Sequence, residues 1–281
     1  MSNIIKAIIN LVNNPITEIT SYYNSKNRAN SMGEALEEYI KDLYAGTVEE
    51  TDEQVRNRKI SEVFSYLGNQ NNPPDSILKG GDAIEVKKVE SKNSSLALNS
   101  SYPKQKLFSS SSMITEACRK CEDWVEKDII YTVGVVKNNI LSNLSMVYGL
   151  DYAASEDVYT RIKNVISSGI NSIPDVEFAE TNELGRVNRV DPLGITYLRV
   201  RGMWGIENPM KVFNYVYQND DSKGFNLMVI INTDKYKTLY YTEELEGLVG
   251  KIEGLNIKDV EIKNPDNPAQ LRAAKLITFS K

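Results

Sequence analysis

The sequence predicts an α/β fold, with a mixed central sheet flanked by helices. Three observations carry this prediction. Helical periodicity dominates the N-terminal quarter. A proline-led hairpin occupies residues 72–88. A strongly β-branched run at 128–136 is followed by a second strand at 144–150. The order helix, helix, hairpin, helix, strand, strand, helix packs as a mixed sheet between helical layers. The chain has 281 residues, 41% hydrophobic and 25% charged, which is enough for a sizeable core in a single domain, residues 1–281.

The elements follow in order. Residues 2–12 read as a short amphipathic helix ended by Asn13-Asn14-Pro15. Residues 21–28 are polar and tyrosine-rich. Ser31 is a candidate N-cap, with Glu34 three residues on as its capping box. The helix over 32–44 places Leu36, Tyr39, Ile40 and Leu43 on one buried face, and Gly46 ends it. Residues 52–66 predict a second helix, and residues 115–126 another. The β-branched run at 128–136 predicts a central strand. Residues 157–168 form a helix with Val158, Ile162, Val165 and Ile166 on its apolar side. In the last third, 195–201, 212–216 and 225–232 read as strands, and 242–281 as peripheral helix and strand.

The hairpin organises the chain. Residues 76–78 make a short apolar strand, Lys79-Gly80-Gly81-Asp82 a tight turn, and residues 83–88 the return strand. Side chains alternate along a strand, so Ile84 and Val86 face one side and Glu85 and Lys87 the other. Pro73 and Pro74 forbid helix and hold Asp75 extended at the hairpin mouth, in reach of Glu85. Carboxylates crowded together repel unless a cation lies between them, and hard oxygen ligands suit magnesium.

Composition narrows the chemistry. The chain has no histidine, which excludes Ser-His-Asp and Cys-His hydrolysis, Cys2His2 zinc sites and a histidine base. Acid–base work falls to carboxylate, lysine, tyrosine or metal-bound water. Cys118 and Cys121 alone cannot complete a four-ligand zinc site. They lie in a charged helical stretch rather than after a strand, so a structural role is expected over a redox one. No apolar run is long enough for a membrane span and no secretory h-region is found, so a cytoplasmic protein is expected. The net charge of −5 disfavours a permanent nucleic-acid coat protein but leaves room for a DNA enzyme, because a carboxylate site loses negative charge when metal binds.

Pro74-Asp75 followed by Glu85-Val86-Lys87 resembles the PD-(D/E)xK motif of metal-dependent nucleases. Further stretches extend the likeness. They are Asn27-Arg28-Ala29-Asn30 with Gly33-Glu34-Ala35-Leu36-Glu37-Glu38-Tyr39, Phe64-Ser65-Tyr66-Leu67-Gly68-Asn69 before Pro73-Pro74-Asp75, and Gly81-Asp82-Ala83-Ile84-Glu85-Val86-Lys87-Lys88. Ala97-Leu98-Asn99-Ser100-Ser101 and Asp128-Ile129-Ile130-Tyr131 complete the set. Together they resemble the NgoPII-type family of type II restriction endonucleases, most densely over the first half. The resemblance implies a restriction-endonuclease-like mixed central sheet and magnesium-dependent, sequence-specific cleavage of double-stranded DNA. The family's eponymous member reads the palindrome GGCC. A cognate DNA methyltransferase, as a functional partner, would protect host DNA.

On that resemblance Asp75 and Glu85 hold magnesium, the carbonyl of Val86 is a third candidate ligand, and Lys87 acts on the attacking water. Gly33-x-x-x-Glu37 is similar to the glutamate that many nucleases of this fold carry before the hairpin. The alternative is a solvent-facing Glu37, and Glu38 is the neighbour to be distinguished from it. Residues 1–170 are then the catalytic core and 171–281 a DNA-recognition and peripheral lobe. Asn99, Ser100, Ser101 and Lys104 have the side chains that meet phosphates. Arg199 and Arg201 share one strand face, a rise of about 6–7 Å apart, and suit guanine edges. Their alternative is pairing with an acid such as Asp191. Arg186 and Arg189 suit phosphates. A two-fold target cut in both strands favours a homodimer. A structure-selective repair nuclease and a catalytically inactive DNA-binding protein are the competing readings.

Overall fold

The structure, a computed structural model, describes residues 1–281 except Asn27, Asn30, Gln70, Asn71, Asn99 and Asn182. Helix α1 (Ile4–Asn13) starts where the Asn3 side chain accepts the Lys6 N–H, and it buries Ile4, Ile5, Ile8 and Leu11. Helix α2 (Ile19–Ser25) occupies the tyrosine-rich stretch. Helix α3 (Met32–Ala45) is capped as its sequence predicts: Ser31 accepts the Glu34 amide, and Gly46 closes the helix at φ +65°. Its buried face includes Leu36, Tyr39, Ile40 and Leu43.

Helix α4 (Glu53–Val63) stops short of the expected residue 66, and strand β1 (Phe64–Asn69) begins at once. The reason is long-range pairing. Phe64 and Tyr66 pair with Leu78 and Ile77, and a bulge between them turns the two rings to opposite apolar layers. Strands β2 (Asn72–Leu78) and β3 (Ala83–Val89) form the expected hairpin. Only Gly80 of the two turn glycines takes positive φ, at +63°.

Strands β4 (Leu96–Ala97) and β5 (Lys106–Phe108) punctuate the serine-rich stretch. The helix expected at 115–126 is one turn, α5 (Glu116–Arg119), capped by Thr115. Residue 126 belongs instead to β6 (Glu126–Lys137), because β5 pairs with its first residues. Strands β6 and β7 (Ile140–Tyr148) are the central pair. A turn of helix, α6 (Gly149–Tyr152), leads to α7 (Glu156–Asn171).

Strands β8 (Glu177–Phe178), β9 (Gly185–Asn188) and β10 (Leu198–Val200) make a separate sheet in the order β10-β9-β8. The strand expected at 195–201 is thus shorter, because Asp191 ties back the Thr196 amide in the β9–β10 loop. Strand β11 (Gly205–Ile206) pairs with β4. The strand expected at 212–216 is replaced by a helical turn, α8 (Pro209–Val212), with Asn208 capping it and Pro209 at its start.

Strand β12 (Asn226–Asn232), helices α9 (Thr233–Thr238) and α10 (Thr242–Glu246), and strands β13 (Asn256–Asn264) and β14 (Asn267–Ser280) complete the chain. The main sheet has nine strands in the order β1-β2-β3-β6-β7-β12-β14-β13, with β5 beside β6. The β3–β6 and β7–β12 pairs are parallel, so the sheet is mixed, as predicted. The C-terminal stretch is less peripheral than its sequence suggests, since β14 lies inside the sheet and buries Ala274, Leu276, Ile277 and Phe279.

One apolar layer joins α1, α2 and α3 to the sheet through Ile84, Val86 and Ile130. The other gathers Tyr131, Val133, Tyr152 and Phe213 with the buried thiol of Cys118. Burial pushes that thiol up to about 12, so it stays protonated and inert, and no disulfide joins it to Cys121. No helix among the described residues is long and apolar enough to cross a membrane.

Candidate active site

Hairpin pairing runs only through Ile77↔Ala83 and Ser76↔Ile84. Beyond it lie two prolines, and Pro74 has no N–H to give the ladder. The strands part there, and the Val86 N–H is taken by the Asp75 carboxylate instead, at 2.6 Å. Gly68 of β1 lets this happen. A Cβ at that position would lie 2.6 Å from the Pro74 carbonyl oxygen, so only glycine admits the backbone that carries Asp75.

Glu85 and Lys87 project into the parted region from β3. Lys87 Nζ lies 2.5 Å from Glu85 Oε1. The second oxygen, Oε2, is buried and has no hydrogen-bond partner. Burial and the nearby Asp75 push the Glu85 carboxyl up to about 7. Burial likewise raises the Asp75 carboxyl, against the pull of Lys87 and the Val86 amide. Burial opposes the Lys87 ammonium, but Glu85 and Asp75 outweigh it, so Lys87 is held above its ordinary value and stays charged.

The two adjacent glutamates of α3 differ sharply. Glu37 is half-buried, and burial together with Asp75 raises its carboxyl. Glu38 makes ion pairs with Lys41 at 2.8 Å and Arg56 at 2.5 Å, which hold it low despite burial. Glu37 therefore shares the field of Asp75, Glu85 and Lys87, whereas Glu38 is bound into the α3–α4 contact.

Asp75, Glu85 and Lys87 line one cleft with Ser100, Ser101 and Lys104. The side chain of Lys104 is largely buried, its Nζ stands 4.5 Å from the Tyr102 ring centre, and burial lowers its pKa. Its backbone N–H donates to the Tyr131 hydroxyl at 2.7 Å, which fixes the loop against β6. Asn99 lies outside the described residues.

The arginines are elsewhere. Arg199 grips Glu183 with two bonds, of 2.6 and 3.1 Å, and Arg201 Nε reaches the same carboxylate at 2.7 Å. The acid partner is thus Glu183, not the Asp191 weighed from sequence. Arg186 is the cross-strand neighbour of Arg199 and stacks over Tyr197 at 5.2 Å. Arg189 stands 3.8 Å from Glu177. All four side chains are exposed.

Sequence reading gave Lys41, Tyr102 and Tyr131 no individual role in the site. Lys41 is one turn beyond Glu37 and acts on both Glu37 and Asp75. Its spacing of four residues was the available signal. Tyr102 and Tyr131 line the cleft through loop and sheet contacts that no local spacing encodes.

Among the described residues no group of three or more carboxylate, thiol or imidazole side chains stands together in metal-binding geometry. Asp75 and Glu85 are nonetheless two carboxylates in one cleft, and Asp75 acts on the charge of Glu85. The orphaned Glu85 Oε2 is a buried acceptor that a cation would satisfy, and burial together with the nearby Asp75 raises both Glu85 and Glu37. The residues fit the ion.

A nine-stranded mixed sheet flanked by helices, with this hairpin within it, is the architecture of a restriction-endonuclease-like nuclease. The chain belongs to the NgoPII restriction endonuclease family, whose model matches residues 2–263. It is accordingly a type II restriction endonuclease. It is 59% identical over 280 residues to the type II restriction enzyme NgoPII of Neisseria gonorrhoeae, covering 99% of each chain. No solved structure matches it.

Proposed function

We propose that this enzyme cleaves both strands of double-stranded DNA at a short palindrome, GGCC being the site implied by the family resemblance. Magnesium would be held by Asp75 and Glu85. The observation that carries this reading is the unpartnered, buried Glu85 Oε2 next to Asp75 and the charged Lys87.

The N–H and C=O of one strand residue point towards the same neighbouring strand. The Val86 N–H goes to Asp75, so its carbonyl is directed to the same parted side and is the third candidate ligand. Glu37 adds a carboxylate from α3. When bound, the ion polarises a phosphoryl oxygen and makes a coordinated water more acidic. Lys87, beside Glu85, would orient the attacking water or take its proton and would offset charge developing on the phosphate. Ser100, Ser101 and Lys104, which line the same cleft, would meet the phosphates of the bound strand.

Residues 1–170 would then carry the chemistry, while the arginine-rich sheet of the 171–281 part recognises DNA. Arg199 and Arg201 would exchange Glu183 for guanine edges, and Arg186 and Arg189 would meet phosphates. The enzyme would work as a homodimer in the cytoplasm, with a cognate methyltransferase protecting host DNA.

Digestion of linear DNA with magnesium tests this proposal. Discrete fragments ending at GGCC are expected, with none after chelation. Discrete fragments from another sequence would replace the target. Cutting of branched DNA regardless of sequence would make the enzyme a structure-selective nuclease. Binding without any cutting would leave only a DNA-binding role.

A further inference from the structure

Helix α7 is amphipathic, yet its apolar face is left exposed. Val158, Ile162, Val165 and Ile166 are all exposed, Val165 to 69%, and Ile173 just past the helix end continues the stripe. None of the 16 residues of α7 is buried, whereas α3 buries seven of its 14. Helices of this length are marginal in water unless such a face packs. The helix is nevertheless seated on its other sides. Tyr159 stacks on Tyr102 at 5.5 Å and meets Trp204 at 5.7 Å, and Ile170 lies against Gly185 of β9.

Gly169 lies on the same stripe. Glycine weakens a helix interior, and no atom stands within 4 Å of the Cβ another residue would carry there. Among the described residues, no contact from outside the helix calls for this glycine.

We propose that this stripe docks against the α7 of a second copy of the chain, antiparallel across a two-fold axis. Three observations select that occupant. First, the stripe bears no charge, so it offers DNA phosphates nothing but suits an identical apolar face. Second, it is self-complementary. With Val165 facing the partner's Ile166, Ile162 falls opposite Gly169 and Val158 opposite Ile173, so the notch at Gly169 receives an isoleucine. Antiparallel helices also set their dipoles favourably. Third, Tyr102 lines the catalytic cleft and stacks on α7, so the interface joins the walls of two clefts. The inference rests on the reading that both strands are cut, for which each chain supplies one Asp75/Glu85/Lys87 set.

A helix about 24 Å long and ~10 Å wide covers less than the ~800 Å² per partner of a standard interface. The dimer is therefore weak alone and reinforced when both copies share one duplex.

Oxidative cross-linking tests the interface without reading cleavage. Val165→Cys is made in a Cys121→Ser background, with exposed Ser222→Cys as control, each on a GGCC duplex in calcium and also at high protein concentration without DNA. Val165→Cys should give a disulfide-linked dimer about tenfold faster than the control, as a near-axis position requires. Val165→Asp should keep its circular dichroism but sediment as one protomer per duplex. Equal cross-linking rates for the two cysteines, or an undiminished dimer in Val165→Asp, would overturn the proposal. A protein that cross-links but cuts nothing in magnesium would overturn the function proposed above and leave this interface standing. One that cuts both strands without cross-linking would do the reverse.

Discussion

The Asp75 carboxylate accepts the Val86 N–H at 2.6 Å, so the first acid of the motif is tied to the residue between the second acid and the lysine. Two strands that have stopped pairing are thereby kept at a fixed spacing. Replacing the side chain by asparagine would turn an acceptor-only group into one that can present N–H to N–H.

Lys87→Ala should abolish cleavage while leaving specific binding in calcium nearly intact. The ammonium lies within the cleft beside Glu85 and would add only one charge to a broad phosphate surface. Plasmid cleavage and gel-shift assays on the same preparation separate the two effects. Cutting at the wild-type rate would remove Lys87 from the mechanism.

Glu37→Gln and Glu38→Gln should fail differently. Glu37 shares the field of the acid pair, so its variant should lose cleavage with little change in melting temperature. Glu38 joins Lys41 and Arg56, and neutralising it weakens both charged contacts while Arg56 keeps Asp42, at a cost of about 1–3 kcal/mol of stability. Thermal melts beside cleavage rates distinguish them, and a reversed pattern would mean that Glu38 serves the metal site.

Glu85 makes the metal-free protein sensitive to pH. Its folded value, near 7, lies above the ordinary 4.5, so the fold favours the neutral acid. The stability this gives is complete below about pH 4.5 and is lost as pH rises to 7. Glu85→Gln does not titrate. In chelator it should melt higher than wild type at pH 8, by on the order of 2 kcal/mol, and the difference should shrink towards pH 5. A variant less stable than wild type at pH 8 would contradict the burial argument. Adding magnesium at pH 8 should stabilise wild type and leave Glu85→Gln largely unmoved.

Arg199 and Arg201 share the Glu183 carboxylate, so base reading by either needs that acid to release them. Glu183→Gln should then strengthen DNA binding. Arg199→Ala and Arg201→Ala should each lower discrimination at one base pair by about tenfold or more. Binding to cognate and single-substituted duplexes at two salt concentrations decides the matter. Uniform weakening on every sequence would assign both residues to phosphates.

The sequence by itself determined the local features. Ser31 and Gly46 bound α3 because capping chemistry acts within a few residues. Gly80 sets the hairpin turn, and alternation puts Glu85 and Lys87 on the face away from Ile84 and Val86. The motif was legible because its acids and lysine sit on two adjoining strands. Tertiary structure decided everything that depends on partners far along the chain. Phe64 became strand rather than helix because β2 was there to pair with it. The segment at 212–216 lost its expected strand to a helical turn capped by Asn208, and β14 entered the sheet interior beside β12. Glu37 and Glu38 were inseparable in sequence. Arg56, 18 residues beyond Glu38, separated them by forming its ion pair. The apolar stripe of α7 was equally plain in sequence, but only the packed chain leaves it exposed, because burial is a property of neighbours and not of spacing.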